Sequence, residues 1–319
     1  MPLVQPDGPS PVAIAPGEPV GHGVQRICLD QFDRAITGLT TDGDRDEGIH
    51  TARKSMKRIR AMLRLVRDEI GYRVYRDENV VLRDTSRRIA PARDAAVLVE
   101  TLDTVVERYG LGDGRFEGLR SNLRDRHARI AGGILEDRAL LADVSTTLRV
   151  ARARYASFPL EAAAATPLRR PIGDRYEAMA GGLHRVYRRG RKAMDRAYAE
   201  RSTQSFHLWR KRVKYLRYQM EALEPVWPEV VGAYAAALDS LGESLGLEHD
   251  LAVLEAIVDG EPSLCPDPEA RRLLGAVVLH ERAVIRHDAR ASGLRAYAER
   301  PDRFVGRIGS YWDATRGDR

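Results

Sequence analysis

"HTARKSMKRIRAMLRLVR", residues 50 to 67, carries seven Lys or Arg residues and no acid. Its apolar residues continue a rhythm that begins one position earlier. Ile49, Ala52, Met56, Ile59, Leu63 and Val66 recur at intervals of three and four, which is the seam of an amphipathic helix. Adding 157 to each number gives Phe206, Trp209, Val213, Leu216, Met220 and Leu223, the same seam again in "HLWRKRVKYLRY" and its flanks. The basic positions keep the register: His50, Arg53, Lys54, Lys57 and Arg60 fall on His207, Arg210, Lys211, Lys214 and Arg217. A second match, "ARDAAVL" (92–98) with "EHDLAVL" (248–254), sets Arg93 opposite His249 and Asp94 opposite Asp250 at nearly the same offset. Two segments sharing one offset indicate an internal repeat.

Strand-like alternation is almost absent from the rest of the chain. Helical stretches are broken at "TTDGDRDEG", "RYGLGDG", "SFPLEAAAATPLRRPIGD", "EPVWP" and "DGEPSLCPDPE". Pro159, Pro167, Pro171 and Gly173 mark the mid-chain break. With about four helical stretches on each side, the expected fold is all-α, two helical bundles joined by that break. The boundaries expected are a Pro-rich disordered tail over 1–20, a first bundle over 21–160, a linker over 161–171 and a second bundle over 172–319. The tail holds six prolines and no Lys or Arg, so it lacks the basic start of a signal peptide. No apolar run approaches the roughly 18 residues that span a bilayer, and no membrane partner is expected. Cys28 and Cys265 stand far apart and read as two thiols in a reducing cytoplasm.

Each basic stripe lies one residue ahead of its apolar stripe. One residue is a rotation of about 100°, so His50, Arg53, Lys57, Arg60, Arg64 and Arg67 flank the buried seam over about 25 Å. A single stripe of this kind is ordinarily a solvated face, and like charges at this spacing repel. Recurrence of the stripe weighs against that reading. So does a third cluster, "HRVYRRGRKAMDR" (184–196), with Arg185, Arg188, Arg189, Arg191 and Lys192. Only five of 52 basic residues are lysine, namely Lys54, Lys57, Lys192, Lys211 and Lys214, and all lie in these three segments. Arg offers a planar fork to phosphate oxygens and Lys a compact charge, so the mixture suits a phosphate polyanion. Histidines at 50, 207 and 249 can donate hydrogen bonds, and are expected to add affinity as pH falls through about 6.5.

"DGDRDEG" (42–48) has Glu47 and Arg53 where a calcium loop needs Gly and Glu, and reads instead as charge at a helix N-terminus. His280 and His287 in "HERAVIRH" lack zincin spacing. No Walker loop, Rossmann fingerprint or nucleophile elbow occurs, and no acidic metal ligands interrupt the basic stripes. Neither catalysis nor a cofactor or metal is expected.

His50-x-x-Arg53-Lys54-x-x-Lys57-Arg58-x-Arg60 and its echo at His207 resemble the signature of CHAD domains, the conserved-histidine α-helical domains. "ARDAAVLVETL" and "LGESLGLEHDLAVL" are similar to the family's second signature and "VYRRGRKAM" to its third, so that the resemblance covers nearly all the chain from about residue 21. It implies two four-helix bundles related by pseudo-twofold symmetry, and a basic central surface that binds inorganic polyphosphate. On this sequence the surface would comprise His50, Arg53, Lys54, Lys57, Arg60, Arg64, Arg93, Arg188, Arg189, Arg191, Lys192, His207, Arg210, Lys211, Lys214, Arg217 and His249. Arg93 departs from its counterpart His249, so the halves need not bind equally. No stretch of alternating glutamates marks a fused triphosphatase-type domain, and the chain reads as a stand-alone cytoplasmic module associated with polyphosphate granules. The rival readings are an RNA-binding module, which would want aromatics for base stacking, and a phosphotransfer enzyme using His50 or His207.

Overall fold

In the computed structural model the described residues are 10–41, 44–112, 114–160 and 171–317. Their main elements are α-helices: α1 (Val20–Thr40), α2 (Arg45–Leu65), α3 (Arg67–Ile70), α4 (Tyr72–Arg88), α5 (Ala90–Arg108), α6 (Glu117–Leu135) and α7 (Arg138–Ala156). After the mid-chain break follow α8 (Glu177–Glu200), α9 (Thr203–Leu223), α10 (Ala233–Gly260), α11 (Pro268–Ala296) and α12 (Pro301–Arg316). No described helix is long and apolar enough to cross a membrane.

Local chemistry sets the ends of the two repeated helices. Asp44 accepts the amide protons of Asp46 and Glu47 at 3.0 and 3.2 Å, which caps α2 with acids as its sequence suggests. Ser202 caps α9 by accepting from the Ser205 amide at 3.1 Å. The basic stretch of α2 stops sooner than its periodicity implies. Leu65 ends the helix, α3 adds one turn, and Gly71 at φ 78° turns the chain so that α4 runs back along α2.

Both apolar seams are buried as their periodicity requires. Ile49, Ala52, Met56, Ile59, Leu63 and Val66 are all in the interior, as are Phe206, Trp209, Val213, Leu216, Met220 and Leu223. α2 packs against α9 at the centre, with α1 and α8 behind them, and α5 and α10 touch alongside. The interior forms two clusters, and neither respects the mid-chain break. One joins Phe32, Met56 and Leu148 with Tyr187, Trp209 and Phe304. The other joins Leu102 and Leu119 with Leu254 and Val278.

One expected segment differs from its reading. The tail expected over 1–20 is corrected for residues 10–20: Ala13, Ile14 and Val20 are buried, and the Ile14 amide donates to the Ala222 carbonyl at 2.9 Å. Two apolar residues among the prolines give this segment an anchor that its composition conceals. Most of the expected linker, 161–170, lies outside the described residues, as does 1–9 of the tail. Gly173, just beyond, donates its amide to Glu69 at 2.9 Å.

Candidate functional site

The crossing of α2 and α9 brings the two basic stripes face to face. Gln219, buried in the seam, donates to the Ala61 carbonyl at 3.2 Å. Arg58 pairs with Glu221 at one end of the crossing, and Arg64 lies over the Tyr215 ring at 4.0 Å at the other. Near this crossing Lys57 feels the charges of Lys214, Arg53 and Arg210, and Lys214 those of Arg210 and Arg217. Among the described residues neither lysine amine has a hydrogen-bond or ion-pair partner.

That arrangement is electrostatically costly, and the lysines respond to it. Burial, then the charges of Lys214, Arg53 and Arg210, pushes the Lys57 amine down to about 7, although Asp94 pulls the other way. Burial, with Arg210 and Arg217, brings Lys214 down to about 8, against Asp250 and Asp239. Arg53 donates to the Ala90 carbonyl at 2.8 Å and pairs with Asp94 at 2.9 Å. Arg210 makes no such pair. Its guanidinium lies along α10, where a Cβ on Gly246 would come within 3.0 Å of Nη2, and the Lys214 stem passes Gly242 in the same way at 3.7 Å. The Nε of Arg53 and that of Arg210 are both buried without a partner.

The histidines flank this centre in a neutral state. The His207 and His249 rings lie 4.0 Å apart at 31°, and the Nδ1 of each is buried without a hydrogen bond. Burial above all, then His249 and the neighbouring cations, pushes His207 down to about 3. Burial also lowers His249, helped by Arg210, and lowers His50, helped by Arg93. The expected gain of charge near pH 6.5 is therefore corrected for the free protein: low dielectric and neighbouring cations oppose it.

A second group of cations continues along α2 toward α4 and α8. Arg60 and Arg64 both donate to Asn79, at 3.1 and 2.9 Å. Arg67 lies over Tyr72 and Tyr75 at 5.0 and 4.9 Å. Arg212 is lowered by burial and by the charges of Arg189 and Arg64, which places these three arginines together. Lys211 is lowered by burial and by Arg60 and Arg87. Sequence reasoning left Arg212 out of the site because it flanks the seam on the side away from the stripe. It also missed Asn79, Tyr75, Gly242 and Gly246, which carry no charge.

Not every expected residue is available. Arg93 is held by both oxygens of Glu100, at 2.7 and 3.0 Å. Arg217 pairs with Glu221 at 2.6 Å and also with Asp239; burial opposes its charge, but the two acids prevail and raise it. Arg191 turns away from the centre and donates to the Glu299 carbonyl at 3.1 Å. Lys54, Arg188, Arg189, Lys192 and Lys211 are solvent-exposed. Among the described residues no group of three or more His, Cys, Asp or Glu is placed to hold a metal ion.

The chain matches the CHAD domain family over residues 25–259. It is similar in fold to the solved structure of PptA from Streptomyces chartreusis, at 17% identity and a TM-score of 0.58, covering 88% of this chain and 100% of that one. It is likewise similar to the crystal structure of the CHAD domain from the plant Ricinus communis, at 18% identity and a TM-score of 0.55, covering 98% of this chain and 97% of that one. Among curated proteins none matches the chain significantly.

Proposed function

The chain belongs to the CHAD domain family, and from that membership we propose that it binds inorganic polyphosphate, without catalysis, through the basic surface at the α2–α9 crossing. The observation that carries the reading is the pair Lys57 and Lys214, two half-buried amines beside arginines, with no acid bound to either among the described residues. A fold does not hold such a pair for stability, since like charges in a poorly solvated place repel strongly. A polyanion would remove the repulsion, and Arg210 and the exposed lysines would add donors. The site proposed comprises His50, Arg53, Lys54, Lys57, Arg60 and Arg64 with His207, Arg210, Lys211, Lys214 and His249, and Arg189 with Arg212 at one edge.

A pseudo-twofold relation between the halves fits the pairing at the crossing. Lys57 meets its own counterpart Lys214, and Arg60 lies near Lys211, the counterpart of Lys54. Arg64 over Tyr215 is matched by Arg58 against Glu221, which are the same two positions exchanged between halves. We place the repeat boundary at the mid-chain break, with the first unit running from about residue 21 to 160 and the second from 172.

RNA is the weaker reading. Tyr75 and Tyr215, the aromatics nearest the stripes, already have arginine guanidinium groups over their rings, which leaves less face for a base. Titration calorimetry with polyphosphate of defined chain lengths, an RNA oligomer and ATP tests the proposal. Long polyphosphate should bind tightest and lose affinity steeply with salt, by analogy with counterion release from nucleic acids. Tripolyphosphate binding as tightly as the long polymer, with release of phosphate or a phosphorylated histidine, would favour the enzyme instead. In the cell the expected setting is the cytoplasm, at polyphosphate granules.

A further inference from the structure

Beyond holding a polyanion, the centre of this surface combines an amine with donors for a phosphoryl group. Among the described residues Lys57 and Lys214 have no hydrogen-bond or ion-pair partner, and the Nε of Arg53 and that of Arg210 are buried without one. An arginine fork beside an amine is suited to a small molecule in which a phosphoryl group adjoins an electrophilic carbon. We propose that Lys57 and Lys214 acylate themselves with acyl phosphates, Arg53 and Arg210 holding the phosphoryl group while the amine takes the acyl group, and that the modified surface releases polyphosphate. The inference rests on the reading of this surface as a phosphate site.

The chemistry balances without a further reagent. The amine lone pair attacks the carbonyl carbon, forming the C–N bond, and the bond from that carbon to the phosphate oxygen breaks with its electron pair leaving on oxygen. The proton lost from nitrogen ends on the departing phosphate. One amide and one hydrogen phosphate result. Lysine becomes a nucleophile when desolvated or set beside another cation, and both conditions hold here. Around Lys57 the charged groups are Lys214 and Arg210 from α9, Asp94 from α5 and its own neighbour Arg53. Around Lys214 they are Arg210, Arg217, and Asp250 and Asp239 from α10. Their balance leaves about half of Lys57 and about a tenth of Lys214 unprotonated at pH 7, while an ordinary lysine near 10.4 is almost wholly charged. Acylation would make the neutral form permanent and remove two cations from the polyanion surface.

Incubating the full chain with acetyl phosphate at neutral pH, with peptide mass spectrometry at each of the five lysines, tests this. The free-base advantage is about three powers of ten for Lys57 and a little over two for Lys214. Lower intrinsic nucleophilicity, scaled as for thiols, returns part of it. Lys57 and Lys214 should therefore acetylate at least about tenfold faster than exposed Lys54 and Lys192, by these same two principles. Long-chain polyphosphate should suppress the reaction, and Arg210→Gln should slow it at Lys214. An acetyl N-hydroxysuccinimide ester, which has no phosphate, should show less preference for the two central lysines. Even acetylation of all lysines, or faster reaction at the exposed ones, would overturn the proposal. A parallel polyphosphate titration of unmodified protein separates the two claims. Tight binding with indiscriminate acetylation sinks the acylation alone, whereas no polyphosphate binding sinks the phosphate-site reading beneath it.

Discussion

The ring of His207 lies 4.0 Å from that of His249, tilted by 31°, and among the described residues neither Nδ1 has a hydrogen-bond partner. Two imidazoles this close, burial-shielded and beside Arg210, cannot both gain charge cheaply, and His207 stays neutral down to about 3. Lys57 and Lys214 titrate near neutrality in this centre, and the pH response of the centre follows from them.

Lys57 and Lys214 sit at about 7 and about 8 in the folded protein, below the ordinary lysine value of 10.5. Between the folded and unfolded values the unfolded chain holds more protons, so the stability of the free protein should rise with pH from about 7 toward 10. Polyphosphate affinity should fall over the same window, because the ligand requires the charged amines. Thermal denaturation from pH 6.5 to 9.5 checks the first trend. Calorimetry at pH 8 in buffers of different ionisation enthalpy checks the second, with net proton uptake on binding expected. Proton release would contradict it.

Replacing Lys57 by Met keeps the apolar stem and removes the charge. The variant should unfold at a higher temperature, by about 2–4 °C for each kcal/mol of repulsion relieved. It should also bind polyphosphate about tenfold more weakly, equivalent to about 1.4 kcal/mol. Stability and affinity moving together would argue that the lysine serves the fold.

Gly246 supplies the space in which the Arg210 guanidinium lies. Gly246→Ala should favour α10 by up to about 1 kcal/mol through helix propensity, yet displace that guanidinium and lower polyphosphate affinity. A Cβ added to Gly275 of α11 would meet nothing within 4 Å, so Gly275→Ala should give the stability gain without the loss in binding. Equal affinities in the two variants would remove Arg210 from the site.

Arg60 and Arg217 occupy matching positions but differ in employment. Arg217→Ala leaves Asp239 without its partner and should cost about 1–2 kcal/mol of stability, with little change in polyphosphate affinity. Arg60→Ala leaves Asn79 bonded to Arg64 and should cost little stability while weakening binding. Denaturant unfolding and calorimetry on both variants distinguish the roles.

Periodicity made the helices and their buried faces legible. Ile49 to Val66 and Phe206 to Leu223 fix which side of α2 and α9 is interior, and the stripe one residue ahead must then emerge beside it. What periodicity cannot convey is the partner across space. Nothing near Arg93 in sequence distinguishes Glu100 as a carboxylate that holds it by both oxygens, and Asp239 reaches Arg217 only because α10 packs on α9. Titration was equally hidden, since the depression of Lys57 depends first on burial and next on a lysine 157 residues away. The anchoring of Ile14 on Ala222 also needs a neighbour from the far half.

A hydrophobic interior that recruits side chains from both halves places a demand on any shorter ancestor. Under the pseudo-twofold relation proposed above, a chain of half this length would have to embrace a second copy of itself to become watertight, and Lys57 would there confront its own image. Joining the copies end to end makes assembly independent of concentration, since the partner is always present. It also releases the halves from identity. Arg93 can then stand where the other half keeps His249, and Arg60 can bond the neutral Asn79 while Arg217 is committed to Glu221 and Asp239. One molecule thereby acquires a polarity that two equal copies would lack, and a polymer laid across it could be gripped differently at its two ends.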